Sequence, residues 1–342
     1  MKKNIAIIFA LLMIFGCFTF SGCGKSKKEA GKTEEESKDV LKIICTTFPQ
    51  YDWTKNIIGM RADTDAVELT LLLNNGVDLH NYQPTVSDIA LAKDADMFIY
   101  VGGESDEWVD DFLESAENPD IVRLSMMESC DTVEETELEG MEEEEHEHEE
   151  EEEHEEEEAG EAEEVEYDEH VWLSLRNAQK ICSAIAEKLS AIDPDHADEY
   201  KANCESYNQR LAVLDSEFTD AVSTAKRKEL LFADRFPFRY LADDYGLTCY
   251  AAFNGCSAET EASFSTVTFL TNKLSELDLP YVLIIDNNDG RLADSIIEGS
   301  TAHPSIGFLS SMQAIVQSDV DTGISYIELM EGNLDVIKAA LN

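Results

Sequence analysis

Short apolar runs and polar stretches succeed one another along most of the chain. Leu41–Cys45, Val67–Leu73, Met97–Val101 and Ile121–Leu124 are almost uninterrupted apolar runs, which is how strands buried on both faces of a parallel sheet read. Between them, 85–94 has helical spacing. A long helical region then follows. Asn177–Leu189 and Ala197–Thr224 carry apolar residues at helical intervals without an internal proline, and Pro194 separates them. The alternation resumes with strands predicted at Leu230–Ala233, Thr248–Phe253, Tyr281–Ile285 and Gly307–Leu309. Helices are predicted at Pro237–Asp244, Ala262–Leu277, Leu292–Glu298 and Ile324–Leu341. This order predicts two α/β lobes bridged by a long rigid helix: an N-terminal lobe at 40–175, a helical region at 176–226 and a C-terminal lobe at 227–342.

The first 39 residues do not fit that pattern. Basic Lys2-Lys3 precede an apolar run from Ile5 to Phe20, short for a membrane span and stopped by Ser21-Gly22; this predicts an export signal over 1–22. Cys23 follows at once, so Phe20-Ser21-Gly22-Cys23 looks like a lipobox with Cys23 as the lipidated residue; Cys17 after Gly16 is its rival. Residues 23–39 are nearly devoid of apolar side chains and read as a flexible tether. The expectation is a soluble body held on the outer face of the cell membrane by a lipid alone.

The formal net charge is −48, which excludes nucleic acid as a natural partner, since phosphates are bound by cationic surfaces. The acidity is partly local. Residues 142–166 hold 18 Glu and no Lys or Arg, within a low-complexity insert at about 134–166 that is predicted to be disordered. Three histidines, His146, His148 and His154, punctuate it. Imidazoles among carboxylates suit late transition metals, so the insert reads as a weak metal antenna. Six cysteines lie beyond the leader, without a CxxC pair. Cys249 and Cys256 are near enough to close a loop, and buried thiols are the equal alternative.

Four histidines remain. His196 opens a polar turn and reads as surface, and His303 before Pro304 reads as structural. His80 follows the strand at Val67–Leu73, where α/β folds place ligands. His170 stands where ordered apolar sequence resumes after the acidic insert. With an antenna between them, the two form a candidate metal pair.

The segments GVDLHNYQPTVSDIALAKDADMFIYVGG, DEHVWLSLRNAQKICSAIAEKLSAIDPDHADEY, FRYLADDYGL and YIELMEGNLDVIKAALN resemble the zinc/manganese-binding solute-binding lipoproteins of bacterial ABC metal importers. The resemblance runs from about Leu41 to Asn342. It implies a metal site in the cleft between two α/β lobes, with His80 and His170 as ligands from the first. A third histidine is common in the second lobe, but that place is taken by Arg235, which cannot ligate. Asp286 at the end of an apolar strand matches the usual carboxylate; Asp289 is a rival, and Asp234 could replace the lost histidine. The His/Glu-rich loop points to Zn2+, whereas two histidines with two carboxylates make Mn2+ more tolerable. The partners implied are an ABC permease and its ATPase, and the chain is expected to be a monomer without catalytic activity. A metal-dependent hydrolase is the competing class, but no HExxH, GxSxG or phosphate-binding glycine loop is present. An adhesin with a structural metal is the third.

Overall fold

The computed structural model describes residues 40–114, 118–141, 166–257, 261–286 and 288–342. The expectations for residues 1–39, Cys23 among them, and for His146, His148 and His154 lie outside the described residues.

Among the described residues, eight strands form two parallel sheets of four. The first contains β1 (Leu41–Cys45), β2 (Val67–Leu71), β3 (Met97–Tyr100) and β4 (Val122–Ser125), in the order β2-β1-β3-β4. The second contains β5 (Glu229–Phe236), β6 (Thr248–Asn254), β7 (Tyr281–Ile285) and β8 (Ser305–Leu309), in the equivalent order β6-β5-β7-β8. All strand pairings within these two sheets are parallel. The apolar runs are continuous because these strands are covered on both faces: Ile43, Cys45, Phe98, Ile99, Val282 and Leu283 are fully buried. In each lobe the first strand is flanked by the second and third. That crevice at the carboxyl ends is where open parallel sheets bind ligands.

The helices of the described residues pack around the sheets: α1 (Phe48–Ile58), α2 (Val86–Ala92), α3 (Trp108–Glu114), α4 (Leu175–Ile192), α5 (Ala197–Thr224), α6 (Arg239–Tyr245), α7 (Phe264–Leu277), α8 (Arg291–Gly299), α9 (Gln317–Asp321) and α10 (Tyr326–Ala340). Local signals set their ends. Thr47 and Gln50 form a capping box at the start of α1, and Gly59 ends it at φ 60. Ser325 and Glu328 cap α10 in the same way.

α5 has 28 residues, about 42 Å of helix at ~1.5 Å per residue. Its first half serves the first lobe: Tyr207 donates to Asp52 at 2.9 Å and Asn203 to the Ile57 carbonyl at 3.0 Å. Its second half serves the other, where Phe218 stacks on Tyr245 and Tyr245 donates to Asp215 at 2.9 Å. α10 also crosses. The Tyr326 N–H donates to Asp52 at 3.2 Å, its ring packs edge-on to Trp53, and its hydroxyl donates to the Trp172 carbonyl at 2.6 Å. One apolar core consequently runs through both lobes, from Ile43 to Leu341.

The acidic insert is anchored at both ends. Glu134 and Tyr167 form an antiparallel bridge, with Glu135 N–H donating to Glu166 at 2.9 Å and Asp168 N–H to Val133 at 3.0 Å. Residues 134–141, included in the segment predicted to be disordered, are placed. Met141 is buried, and Gly140, at φ 85, lies so close to the Phe269 ring that a Cβ would stand 2.1 Å from it. Leu138 and Met141 have apolar surface to bury where the glutamates beyond them do not. No helix among the described residues is long and apolar enough to cross a membrane.

Candidate metal centre

The first lobe contributes two loops. After β2 the chain turns at Gly76, whose φ is +77 and where a Cβ would meet Val316 at 2.9 Å. It then enters a short 3-10 turn, Leu79–Asn81. Fully buried Leu79 anchors this turn, and Asp78 caps it by accepting the His80 N–H at 3.2 Å. His80 Nδ1 lies 2.6 Å from Ser105 Oγ. Ser105 is itself fixed by its N–H, which donates to Glu169 at 2.9 Å. Gly103 is required there, since a Cβ would meet Glu169 at 2.2 Å.

The second loop closes the acidic insert. His170 is completely buried; its N–H donates to Asp168 at 2.8 Å, and its Nδ1 lies 3.0 Å from the same carboxylate oxygen. Tyr240 from α6 steadies Asp168 by donating to its carbonyl at 2.6 Å. Trp172, two residues on, donates to the Ser311 carbonyl at 2.8 Å and so ties the loop to the second lobe.

Both Nδ1 atoms have hydrogen-bond partners away from the cleft, the Ser105 hydroxyl and the Asp168 carboxylate, which leaves each Nε2 aimed into it. The two Nε2 atoms are 3.2 Å apart. Two imidazoles on one tetrahedral zinc, at about 2.0–2.1 Å each, would place their nitrogens about 3.3 Å apart. Two lone pairs converging so closely repel unless a donor or a cation stands between them. Here the Gln313 amide nitrogen stands 2.9 Å from each. Gln313 Oε1 has no hydrogen-bond partner among the described residues, although the side chain is buried.

Burial pushes His80 down to about 3, helped by the neighbouring His170. Burial presses His170 downward too, but Asp168 and Glu169 outweigh it and raise this group. The extra proton of an imidazolium is therefore less well tolerated on His80 than on His170, the ring that Asp168 supports.

The second lobe meets this pair with the carboxyl ends of its own strands. A register shift in β5 between Phe232 and Arg235 alters the strand's direction beside the site, as bulges do. Arg235 reaches across the cleft to Asp78 Oδ2 at 2.7 Å. The carboxylate that caps the His80 turn is thus also held by the opposite lobe. Asp234 is occupied differently: it accepts from Ile285 N–H at 2.9 Å and Asn288 at 2.7 Å. Asp286 Oδ2 accepts from Ser311 N–H at 2.7 Å and Ser310 Oγ at 3.1 Å, with the Ser311 hydroxyl and Met312 N–H at 3.3 Å. It cradles the turn that presents Gln313. Met312 in that turn has a φ of 61, a conformation that costs energy in a non-glycine residue. Asp234, Asp286 and Asp289 line a cleft of about 690 Å³ next to the histidines. Arg291 holds Asp289 at 2.6 Å.

The structure brings His80 and His170 together and adds Cys256, a residue the sequence reading left as a disulfide partner or buried thiol. Among the described residues these three form the one group whose ligand atoms all lie within 4.8 Å of one another. Neither Asp234 nor Asp286 belongs to it. Cys249 is a buried thiol in β6 and does not close a loop with Cys256. The missed signal was positional: Gly255-Cys256 follows β6 as the His80 turn follows β2. His196 sits elsewhere, against Asp193 at 2.9 Å.

Comparison with known proteins identifies the family. A family model described as zinc-uptake complex component A, periplasmic, matches residues 43–340. The high-affinity zinc uptake system protein ZnuA of Bacillus subtilis is 30% identical over 332 residues, covering 97% of both chains. The zinc-binding lipoprotein AdcA of Streptococcus pneumoniae is 29% identical over 338 residues; the match takes in 99% of this chain and 61% of AdcA. The chain thus spans less than two thirds of that relative's length. The crystal structure of the Zn(II)-bound ZnuA-like domain of AdcA superposes with a TM-score of 0.67 at 26% identity, covering 88% of this chain and 99% of the domain.

Proposed function

The chain belongs to the family of component A proteins of zinc-uptake complexes, and from that premise we propose that it captures Zn2+ outside the cytoplasm and delivers it to an ABC permease driven by its ATPase. The observation that carries this reading is the buried imidazole pair, with Nε2 atoms 3.2 Å apart and each Nδ1 held by a hydrogen-bond partner. Such outer hydrogen bonds fix the tautomer and orientation that a metal ligand needs. The names of the relatives, both zinc proteins, support the choice of cargo. The two lobes enclose the ion, and the surrounding carboxylates favour a cation over an anion.

The remaining parts of the reading follow from the sequence. Cys23 carries a lipid that tethers the protein, a monomer, to the outer face of the cell membrane. His146, His148 and His154 act as a dispersed, weak antenna that raises the local concentration of metal. The chain performs no catalysis.

Competition with a metal-sensitive chelator tests the central claim. His80→Ala and His170→Ala should each abolish tight zinc binding, while His196→Ala should leave it unchanged. Equal losses in all three variants, or retention of tight binding without His80 and His170, would reject the site.

A further inference from the structure

We propose that Cys256 is the third ligand to the captured ion, so that the second lobe closes on the metal with a thiolate and the site is a His2Cys centre with a thiol-derived preference for zinc. The inference rests on the metal-capture reading above and deepens it.

Three observations carry it. Arg235 occupies the place where a histidine would be expected and is committed to Asp78 at 2.7 Å. The second lobe must therefore supply its bond from elsewhere. Cys256 does so by position: its sulfur and the two imidazole nitrogens converge within 4.8 Å of one another. The preceding residue makes the approach possible. A Cβ on Gly255 would stand 2.7 Å from His170 Cε1 and 3.0 Å from the Phe236 carbonyl, so only glycine lets the loop after β6 press against the imidazole. Finally, the buried Gln313 carboxamide lies at the same point with its oxygen unpartnered among the described residues. A cation between the imidazoles displaces the amide nitrogen. Either the Gln313 oxygen or a water can then complete a four-coordinate shell.

The chemistry follows from the donor set. Zinc takes imidazole nitrogen at about 2.0–2.1 Å and thiolate sulfur at about 2.3 Å in one tetrahedral shell. Thiolate is a soft donor that suits zinc, whereas manganese favours oxygen. Replacing a carboxylate by sulfur thus turns the site away from manganese. As the metal–sulfur bond forms, the Cys256 sulfur–hydrogen bond breaks and its proton leaves to solvent, with no change of oxidation state.

Loading the purified protein with Co2+ gives a direct readout, because a cobalt–thiolate bond absorbs in the near ultraviolet and cobalt bound by nitrogen and oxygen alone does not. The wild type should show this band and Cys256→Ser should lack it. Zinc affinity in Cys256→Ser should fall by more than the ~10–100-fold typical of losing an outer partner. Cys256→His provides a ligand of a different kind, so it should retain zinc while losing the band; circular dichroism establishes that both variants fold. Cobalt bound without the band, with zinc affinity unchanged in Cys256→Ser, overturns the sulfur ligand and leaves metal capture standing. A wild type that binds neither cobalt nor zinc overturns both.

Discussion

Single buried polar groups do much of the positioning in this protein, and Asp106 shows how one of them links stability to pH. It stands beside the Ser105 that orients His80. Burial pushes its carboxyl up to about 6 from an ordinary 3.8, against the opposing pull of the Gly102 and Val101 N–H groups. Its Oδ1 has no hydrogen-bond partner among the described residues. An acid whose pKa is raised by folding holds its proton more tightly in the folded state. Its contribution is therefore complete below about pH 4 and is lost as the pH rises through about 6. At ~1.4 kcal/mol per pKa unit, the loss is up to roughly 3 kcal/mol. Asp106→Asn should flatten the curve of stability against pH over this range and be the more stable form at pH 7 but not at pH 4. Denaturant unfolding at several pH values measures this; parallel curves for the two proteins would reject it. The imidazoles and this carboxyl also mark a limit of reading residues from sequence. His80 and His170 stood out because one follows a predicted strand, the other stands where ordered apolar sequence resumes, and a histidine-bearing insert lies between them, whereas Cys256 had only its place after a strand. Its partners lie far away along the chain, and cysteine spacing reveals only ligands that are neighbours in sequence.

At the scale of elements, strand boundaries were the most legible part of the fold. Leu41–Cys45 and Tyr281–Ile285 coincide with β1 and β7, because strands buried on both faces leave an unbroken apolar signature. α1 was not anticipated. Its sequence, FPQYDWTKNII, buries Gln50, Asp52 and Thr54 together with Phe48 and Trp53, and a helix with polar residues on its covered face shows no clear stripe. Asp286 was legible as a carboxylate at the end of a strand, but its hydrogen bonds depend on turns that no periodicity encodes. Asp286 holds the turn carrying Gln313, and Asp234 is engaged by the end of β7 and its loop. The loop after β6 offers the clearest test at this scale. Gly255→Ala places a methyl group against the His170 ring and should move Cys256 away from the imidazoles. Zinc affinity is expected to fall by ~10–100-fold, the scale of a disturbed outer shell, with melting temperature little changed. An unaltered affinity in a chelator competition would show that the close approach of this loop is dispensable.

At the scale of the whole molecule, the lobes are joined by α5, by α10, by the Trp172–Ser311 hydrogen bond and by the Arg235–Asp78 ion pair. Asp52 lies where the helical joints meet, accepting from Tyr207 of α5 and from Tyr326 N–H of α10. Asp52→Ala leaves both donors without a partner in the core, a cost of about 1–3 kcal/mol for each buried group. Both lobes should lose stability in one shared transition, which calorimetry can follow; two separated transitions would mean that the lobes unfold independently. The position of Tyr326 also bears on how the protein comes into being. Asp52 and Tyr326 are 274 residues apart, so the first lobe's buried carboxylate is fully satisfied only when a segment far along the chain has been made. Contacts this distant slow folding, and a growing chain cannot finish its first lobe early. Until α10 docks, the first lobe keeps a buried acceptor short of one of its two donors.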